Sequence, residues 1–267
     1  MTECAVPAVV LRRRPYGDAD LILTVLTADR GKRTLLARSA RRSVRRFAGC
    51  LDPFSLVRIV AGRARGGLDD LREAVLDQAF PHLRTDPLRV ALASLWAEGV
   101  DRWLELEAPQ PALFELVRTA LTTLDAGDIP AERVHLIFQL RFLALAGLSP
   151  DLAHCRGCGR PLDGEPVFAD LPAGGFRCPA CLLDRRGERP LPLGVLPRLR
   201  RIARPDAPHG PTDPTADGPA AELLERFLSH HLGRTPRSLT FLRDLRNAGT
   251  ASVSSTERGD SHAGPSA

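Results

Sequence analysis

Leu21-Ile22-Leu23-Thr24-Val25-Leu26-Thr27, the turn Asp29-Arg30-Gly31-Lys32 and the resumed run Thr34-Leu35-Leu36-Ala37 decide the fold of the first third of this chain. Two compact runs rich in apolar and β-branched residues, joined by a short turn that holds glycine, predict a β-hairpin. Working outward, Ala8-Val9-Val10-Leu11 predicts a strand before it. Phe54-Ser55-Leu56-Val57-Arg58-Ile59-Val60 alternates apolar and polar side chains and predicts one after it, broken at Gly66-Gly67. Leu68 to Leu76 fits either a further strand or a helix. Strands bounded by turns within about 75 residues predict a small β-barrel, and a five-stranded OB-type barrel fits the length.

The pattern changes after residue 80. Asp86-Pro87 supplies an N-cap followed by proline at the first helical position. Leu88, Ala91, Leu92, Leu95, Trp96 and Trp103 then recur at helical spacing, which places both tryptophans in a core. Pro111 opens a second helix that ends near Gly127, and Pro130 opens a third that ends at Gly147. A last helix is expected from about Pro219 to Leu232. The fold class is therefore α+β: an OB-type barrel over 1–80, then an α-helical domain over 81–245 with a cysteine module inserted at 150–190. Residues 190–220 contain eight prolines and predict a linker or extended segment. Residues 246–267, nearly devoid of large apolar side chains, predict a disordered tail.

Charge is distributed unevenly. The 267 residues carry a net +5, and 36 of the 37 basic side chains are arginine. Residues 12–65 alone hold 14 basic against 4 acidic groups. A domain-sized positive block points to a polyanionic partner, nucleic acid above all. Five arginines crowd into nine positions at Arg38, Arg41, Arg42, Arg45 and Arg46, and so many charges cannot all be buried. Tyr16, Phe47 and Phe54 are the aromatics nearby, so phosphate contacts should outweigh base stacking. The N-terminal residues 1–11 lack a basic segment and run into Arg12-Arg13-Arg14, the reverse of a secretory signal. With no long apolar run, a cytoplasmic, nucleoid-associated location without membrane contact is expected.

Cys155-Arg156-Gly157-Cys158, nineteen residues, and Cys178-Pro179-Ala180-Cys181 form two C-x₂-C knuckles. Four thiolates complete a closed tetrahedral site, so one structural zinc per chain is expected. Two redox dithiols or two disulfides are the rival readings; a cytosolic setting and flanks without a thioredoxin-like pattern fit them poorly. No phosphate-cradling loop, HExxH or GxSxG is present, and the seven histidines are scattered, so no enzyme is expected.

Val9-Val10-Leu11-Arg12, Pro15-Tyr16-Gly17-Asp18-Ala19-Asp20-Leu21-Ile22, Gly31-Lys32 and Ala37-Arg38-Ser39-Ala40-Arg41-Arg42 together resemble the RecO family of bacterial DNA repair proteins. Leu51-Asp52-Pro53-Phe54-Ser55, Arg141-Phe142-Leu143 running on to Leu148-Ser149-Pro150 and Cys155, and Arg237-Ser238-Leu239 with Phe241-Leu242 extend the resemblance over about residues 5–245. It departs at Ser39, where the family often has glycine, which predicts a different local turn, and in the proline-rich insertion at 205–219. The resemblance implies a recombination mediator without bond-making chemistry. Such a protein binds single- and double-stranded DNA, anneals complementary strands and helps load a recombinase onto strands coated by single-stranded-DNA-binding protein, with RecR as partner. It implies DNA-backbone contacts by Lys32, Arg38, Arg41, Arg42, Arg45 and Arg46, and Arg12, Arg14 and Arg33 of the same basic block join them. The C-terminal tail of single-stranded-DNA-binding protein is expected on the helical domain at Arg133 and Arg141. A zinc-ribbon RNA-binding or transcription factor is the competing reading.

Overall fold

The computed structural model describes residues 5–43, 46–47, 49–62, 68–164, 166–182, 189–204 and 213–256, with the side chains of Pro214 and 249–256 excepted. β1 (Val6–Tyr16), β2 (Asp20–Thr27), β3 (Gly31–Ala37), β4 (Leu56–Gly62) and β5 (Asp69–Gln78) close into an OB-like barrel in the order β1-β2-β3-β5-β4. The β1–β4 pairing shuts it, and β3 meets β5 in parallel. The segment that fitted strand or helix is β5.

Ala8, Val10, Leu23, Val25, Leu35 and Ile59 fill the barrel interior. Val9, Leu11, Leu26 and Leu56 point the other way into the helical core. One wall of the barrel is thus buried on both faces, which is why β2 reads as an unbroken apolar run rather than an alternation. An irregularity between Val10 and Arg12 shifts the register of β1, and the exposed half of the β1–β2 hairpin runs on past the core to Tyr16.

The helices are α1 (Pro81–Thr85), α2 (Pro87–Trp103), α3 (Pro111–Ala126), α4 (Ala131–Leu145), α5 (Val195–Ala203), α6 (Pro214–His231) and α7 (Arg237–Thr256). The Asp86 carboxylate accepts from the Leu88 and Arg89 N–H groups at 2.9 and 3.3 Å and caps α2. The barrel docks on α2 and the loop behind it. Gly31, at φ +66°, lets the β2–β3 turn approach so closely that a Cβ there would lie 1.8 Å from the Ala108 carbonyl oxygen. The Lys32 carbonyl accepts from Glu107 N–H at 2.9 Å, and its ammonium holds Asp101.

Three expectations are corrected. The proline-rich stretch 190–220 contains α5, whose Val195, Leu196, Leu199 and Ile202 form a buried stripe. Its Arg198 makes a buried bidentate pair with Asp217 on α6. α6 begins at Pro214, capped by Asp213, so Pro219 lies inside it rather than at its start. One missing backbone hydrogen bond is outweighed by the apolar stripe Ala216, Ala220, Leu223, Leu224 and Phe227. Residues 246–256, expected in the disordered tail, belong to α7. Leu239 and Leu242 dock its first turns, and extension from a formed helix costs little. The prolines at 205, 208 and 211 lie outside the described residues.

A buried polar chain ties the helices together. Trp96 Nε1 on α2 donates to His135 Nδ1 on α4 at 2.9 Å, and His135 Nε2 meets Glu225 on α6 at 3.1 Å. Glu225 takes Arg246 of α7 at 2.7 Å, and Arg246 also pairs with Glu132. Burial opposes ionisation of Glu225. The His135 hydrogen bond and the Arg246 guanidinium outweigh it and hold the carboxyl below its ordinary range.

Candidate nucleic-acid interface and metal centre

The metal centre is built from a turn and a hairpin. Cys155 and Cys158 bracket a turn in which Gly157 is obligatory, since a Cβ there would lie 2.7 Å from the Cys181 Cβ. β6 (Phe168–Asp170) and β7 (Gly175–Arg177) lead into Cys178 and Cys181. Arg156 N–H donates to the Phe176 carbonyl at 2.8 Å and locks the two halves. All four sulfurs lie within 4.8 Å of one another. The Cys155–Cys178 and Cys158–Cys178 separations are 3.6 and 3.9 Å. Sulfurs about 2.3 Å from a tetrahedral zinc would be about 3.8 Å apart, whereas a disulfide needs about 2.05 Å. The thiols are unpaired, and the set fits a metal ion. Burial disfavours the Cys155 thiolate, but the N–H groups of Cys178, Cys158 and Gly157 overcome it and bring the thiol down to about 6. Cys181, whose thiol is hydrogen-bonded with the Cys158 sulfur and desolvated, is pushed up to about 12. Phe176 closes the module and packs on Phe227 of α6 at 6.0 Å.

On the barrel, the exposed hairpin and the loop after β3 enclose a cleft of about 460 Å³ lined by Arg13, Pro15, Leu21, Arg41, Phe47 and Asp52. Backbone carbonyls hold Arg41 in its lining, and Arg46 of the same loop on the neighbouring β5, in place. Arg41 donates to the Asp18 carbonyl at 3.2 Å. Arg46 donates to the Arg72 and Leu71 carbonyls at 2.9 and 3.0 Å and lies 4.7 Å over the Phe47 ring. A carbonyl orients a guanidinium without neutralising it, so the positive charge stays available to a polyanion. Arg14 and Arg42 are also exposed. Ser39 adopts φ +55°, so it keeps the left-handed turn that glycine would make there, with its N–H on Asp20 at 2.7 Å.

Other members of the basic block are placed differently. Arg33 is buried and paired with Asp69 at 2.8 Å, so its expected DNA contact is corrected to a structural ion pair. Lys32 is likewise corrected: its side chain is 12% exposed and is spent on Asp101. Arg12 and Arg38 are exposed but lie 3.5 Å from Asp101 and 3.0 Å from Asp70. Such surface pairs are worth about 0–1 kcal/mol, little enough for a phosphate to displace. Arg45 lies outside the described residues. Arg13, which the sequence reading did not single out, reaches the cleft and pairs with Asp52. Of the three aromatics, Phe47 and Phe54 are buried and Tyr16 is exposed at the hairpin tip.

A second groove, about 200 Å³, runs between α3 and α4. Leu116, Ala120, Val134, Ile137 and Phe138 line it, with exposed Arg141 at its side. Arg133, expected beside Arg141, is instead 3% exposed and faces Arg198 and Asp217 in the interior. The spacing of eight residues is a little over two helical turns, and the drift turns the two side chains apart.

Residues 1–80 match the family described as Recombination protein O N terminal, and residues 84–240 match Recombination protein O C terminal. The DNA repair protein RecO of Desulfatibacillum aliphaticivorans is 41% identical over 254 residues, covering 92% of this chain and 98% of the relative. That of Anaeromyxobacter dehalogenans (strain 2CP-1) is 38% identical over 250 residues, covering 92% and 98%. That of Symbiobacterium thermophilum is 34% identical over 251 residues, covering 91% and 98%. With a basic OB-like barrel, a helical domain and a four-cysteine centre all within the matched length, the chain belongs to the RecO family of DNA repair proteins.

Proposed function

We propose that this protein is a recombination mediator that binds single- and double-stranded DNA through phosphates, anneals complementary strands and helps load a recombinase onto strands coated by single-stranded-DNA-binding protein. The observation that carries the reading is the basic face of the barrel, where Arg41 in the cleft and Arg46 on the β5 carbonyls are aimed by backbone oxygens and keep their charge. Arg14, Arg42 and Arg45 supply further phosphate contacts, and Arg12 and Arg38 exchange their surface acids for phosphate. With Tyr16 as the exposed aromatic, bases are not sequestered by stacking and stay free to pair with a complement. The protein works by binding and takes no part in bond making.

One zinc ion held by Cys155, Cys158, Cys178 and Cys181 supplies folding free energy to the module and no chemistry. The acidic tail of single-stranded-DNA-binding protein docks in the α3–α4 groove. Its apolar end is buried against Ile137 and Phe138, and its carboxylate pairs with Arg141. RecR is the second protein partner, and the setting is the cytoplasmic nucleoid.

Annealing of two bare complementary oligonucleotides at low salt, without nucleotide, tests the reading. Acceleration by the purified protein is expected. No acceleration, together with preferential binding of RNA, would sink it.

A further inference from the structure

The helical domain answers several of its arginines with acids: Arg89 with Asp86, Arg118 with Glu115, Arg200 with Asp163 and Arg246 with Glu132. Three that have no acidic partner among the described residues, Arg226, Arg234 and Arg243, converge on one open groove of about 540 Å³. Arg226, Ser229 and His230 stand at three- and four-residue spacing on α6 and share a face. Gly233, at φ +68°, turns the chain out of α6 and brings Arg234 and Thr235 to the rim, and α7 contributes Arg243. The lining contains no carboxylate. The Ser229 hydroxyl is buried and takes no hydrogen bond inside the protein. The neighbouring N-terminus of α7 is already occupied: Glu98 accepts from the Arg237 and Ser238 N–H groups at 3.1 and 2.9 Å. The three guanidiniums, the Thr235 hydroxyl and His230 therefore face solvent as one positive surface, and the unpartnered Ser229 hydroxyl lies buried in its lining.

We propose that this α6–α7 groove is a second phosphodiester-binding site, which holds a separate DNA strand on the helical domain. It shares no residue with the barrel cleft. Its chemistry suits a sugar-phosphate backbone: guanidiniums pair bidentately with phosphate oxygens, the exposed Thr235 hydroxyl donates to them, and His230 adds a donor. It does not suit a peptide tail with an apolar end, because Leu171 is the one large apolar side chain in the lining. The inference rests on the annealing reading and gives it a geometry. One chain carries two strands, so their meeting becomes intramolecular and is favoured by effective concentration.

The test uses the full chain and a labelled single strand of about 12 nucleotides, within the length one OB site spans. In stoichiometric titration at low salt the wild type should bind two strands per chain. The variant Arg226→Ala/Arg234→Ala/Arg243→Ala should bind one, and all three positions are exposed, so the fold is untouched. The cleft variant Arg14→Ala/Arg41→Ala/Arg42→Ala/Arg46→Ala should also bind one, at the groove. For a longer strand, loss of three phosphate contacts should lower the slope of log K against log salt by about 2. Annealing by the groove variant should fall more than about tenfold while its remaining site binds normally. Unchanged stoichiometry and slope in the groove variant would overturn the proposal. So would loss of acidic-peptide binding with strand binding intact, which would assign the groove to a protein tail. If instead the cleft variant still binds two strands and the groove variant binds one, the barrel reading fails and the groove stands.

Discussion

Replacing Gly31 by alanine should part the barrel from the helices. The new Cβ would sit 1.8 Å from the Ala108 carbonyl oxygen, where ordinary contact begins at 3.4 Å. The turn would have to retreat by about 1.6 Å, and packed interiors do not yield that far without breaking contacts. The retreat breaks the 2.9 Å hydrogen bond from Glu107 N–H to the Lys32 carbonyl, a loss of about 1 kcal/mol. It also loosens Lys32 from Asp101, a partly buried charged contact worth about 1 kcal/mol more. Holding alanine at φ +66° adds about 1 kcal/mol. The expected destabilisation is therefore about 3 kcal/mol. Gly17 is the control: at φ +54° with nothing within 4 Å of its Cβ, its alanine variant bears the backbone cost of about 1 kcal/mol alone. Urea denaturation followed by tryptophan fluorescence reads both, because Trp96 and Trp103 lie on α2, against which the turn docks. Equal losses in the two variants would refute the close-approach argument.

Cys178→Ser should abolish binding of one zinc per chain and expose 150–182 to protease while the barrel stays protected; a variant with full metal content and unchanged proteolysis would contradict the site. Acid should release α7. Burial disfavours the charged form of Glu98 and of Glu225, yet Ser238 and the Arg237 N–H in one case, and His135 and Arg246 in the other, lower both below the usual range. A lowered folded-state value adds stability that is complete above the unfolded value of about 4.3 and is lost as pH falls through the folded one. Amide exchange over 237–248 should therefore accelerate below about pH 4 beyond its intrinsic rate, and less so in Glu225→Gln; protection that ignores pH would sink the account. Arg141→Ala should weaken a peptide with the acidic tail of single-stranded-DNA-binding protein about tenfold or more and leave DNA affinity unchanged; undiminished peptide binding would place the tail elsewhere.

What was legible in the sequence was local. The cysteine pairs announce their cluster because each knuckle spans four residues, and Asp86-Pro87 announces a helix start for the same reason. The barrel was legible because its turns fall between compact apolar runs. What was illegible depended on distant partners. Arg33 and Arg41 look alike in a charge count, but one meets Asp69 on β5 and the other a backbone carbonyl at Asp18. Arg133 and Arg141 share a helix, yet one turns inward and the other lines a groove. The chain from Trp96 through His135 to Glu225 joins residues up to 129 apart, and no local pattern marks it. α5 was hidden because proline density masked a four-residue apolar stripe.

The contact between Phe176 and Phe227 makes the cysteine module part of a larger unit. Cys155 and Cys178 lie in the same buried cluster as Leu136 of α4, Leu199 of α5 and Leu224 of α6. A zinc ion binding the folded arrangement stabilises it by mass action, by about 4 kcal/mol at a thousand times the dissociation constant. Through the shared core that free energy extends to α4, α5 and α6, and these helices carry both Arg141 and the α6 face of Arg226. If the four cysteines hold zinc, the stability of the surfaces proposed to meet partners would therefore depend on the ambient concentration of free zinc, and metal starvation should weaken them together while the barrel, with its own interior, stays folded.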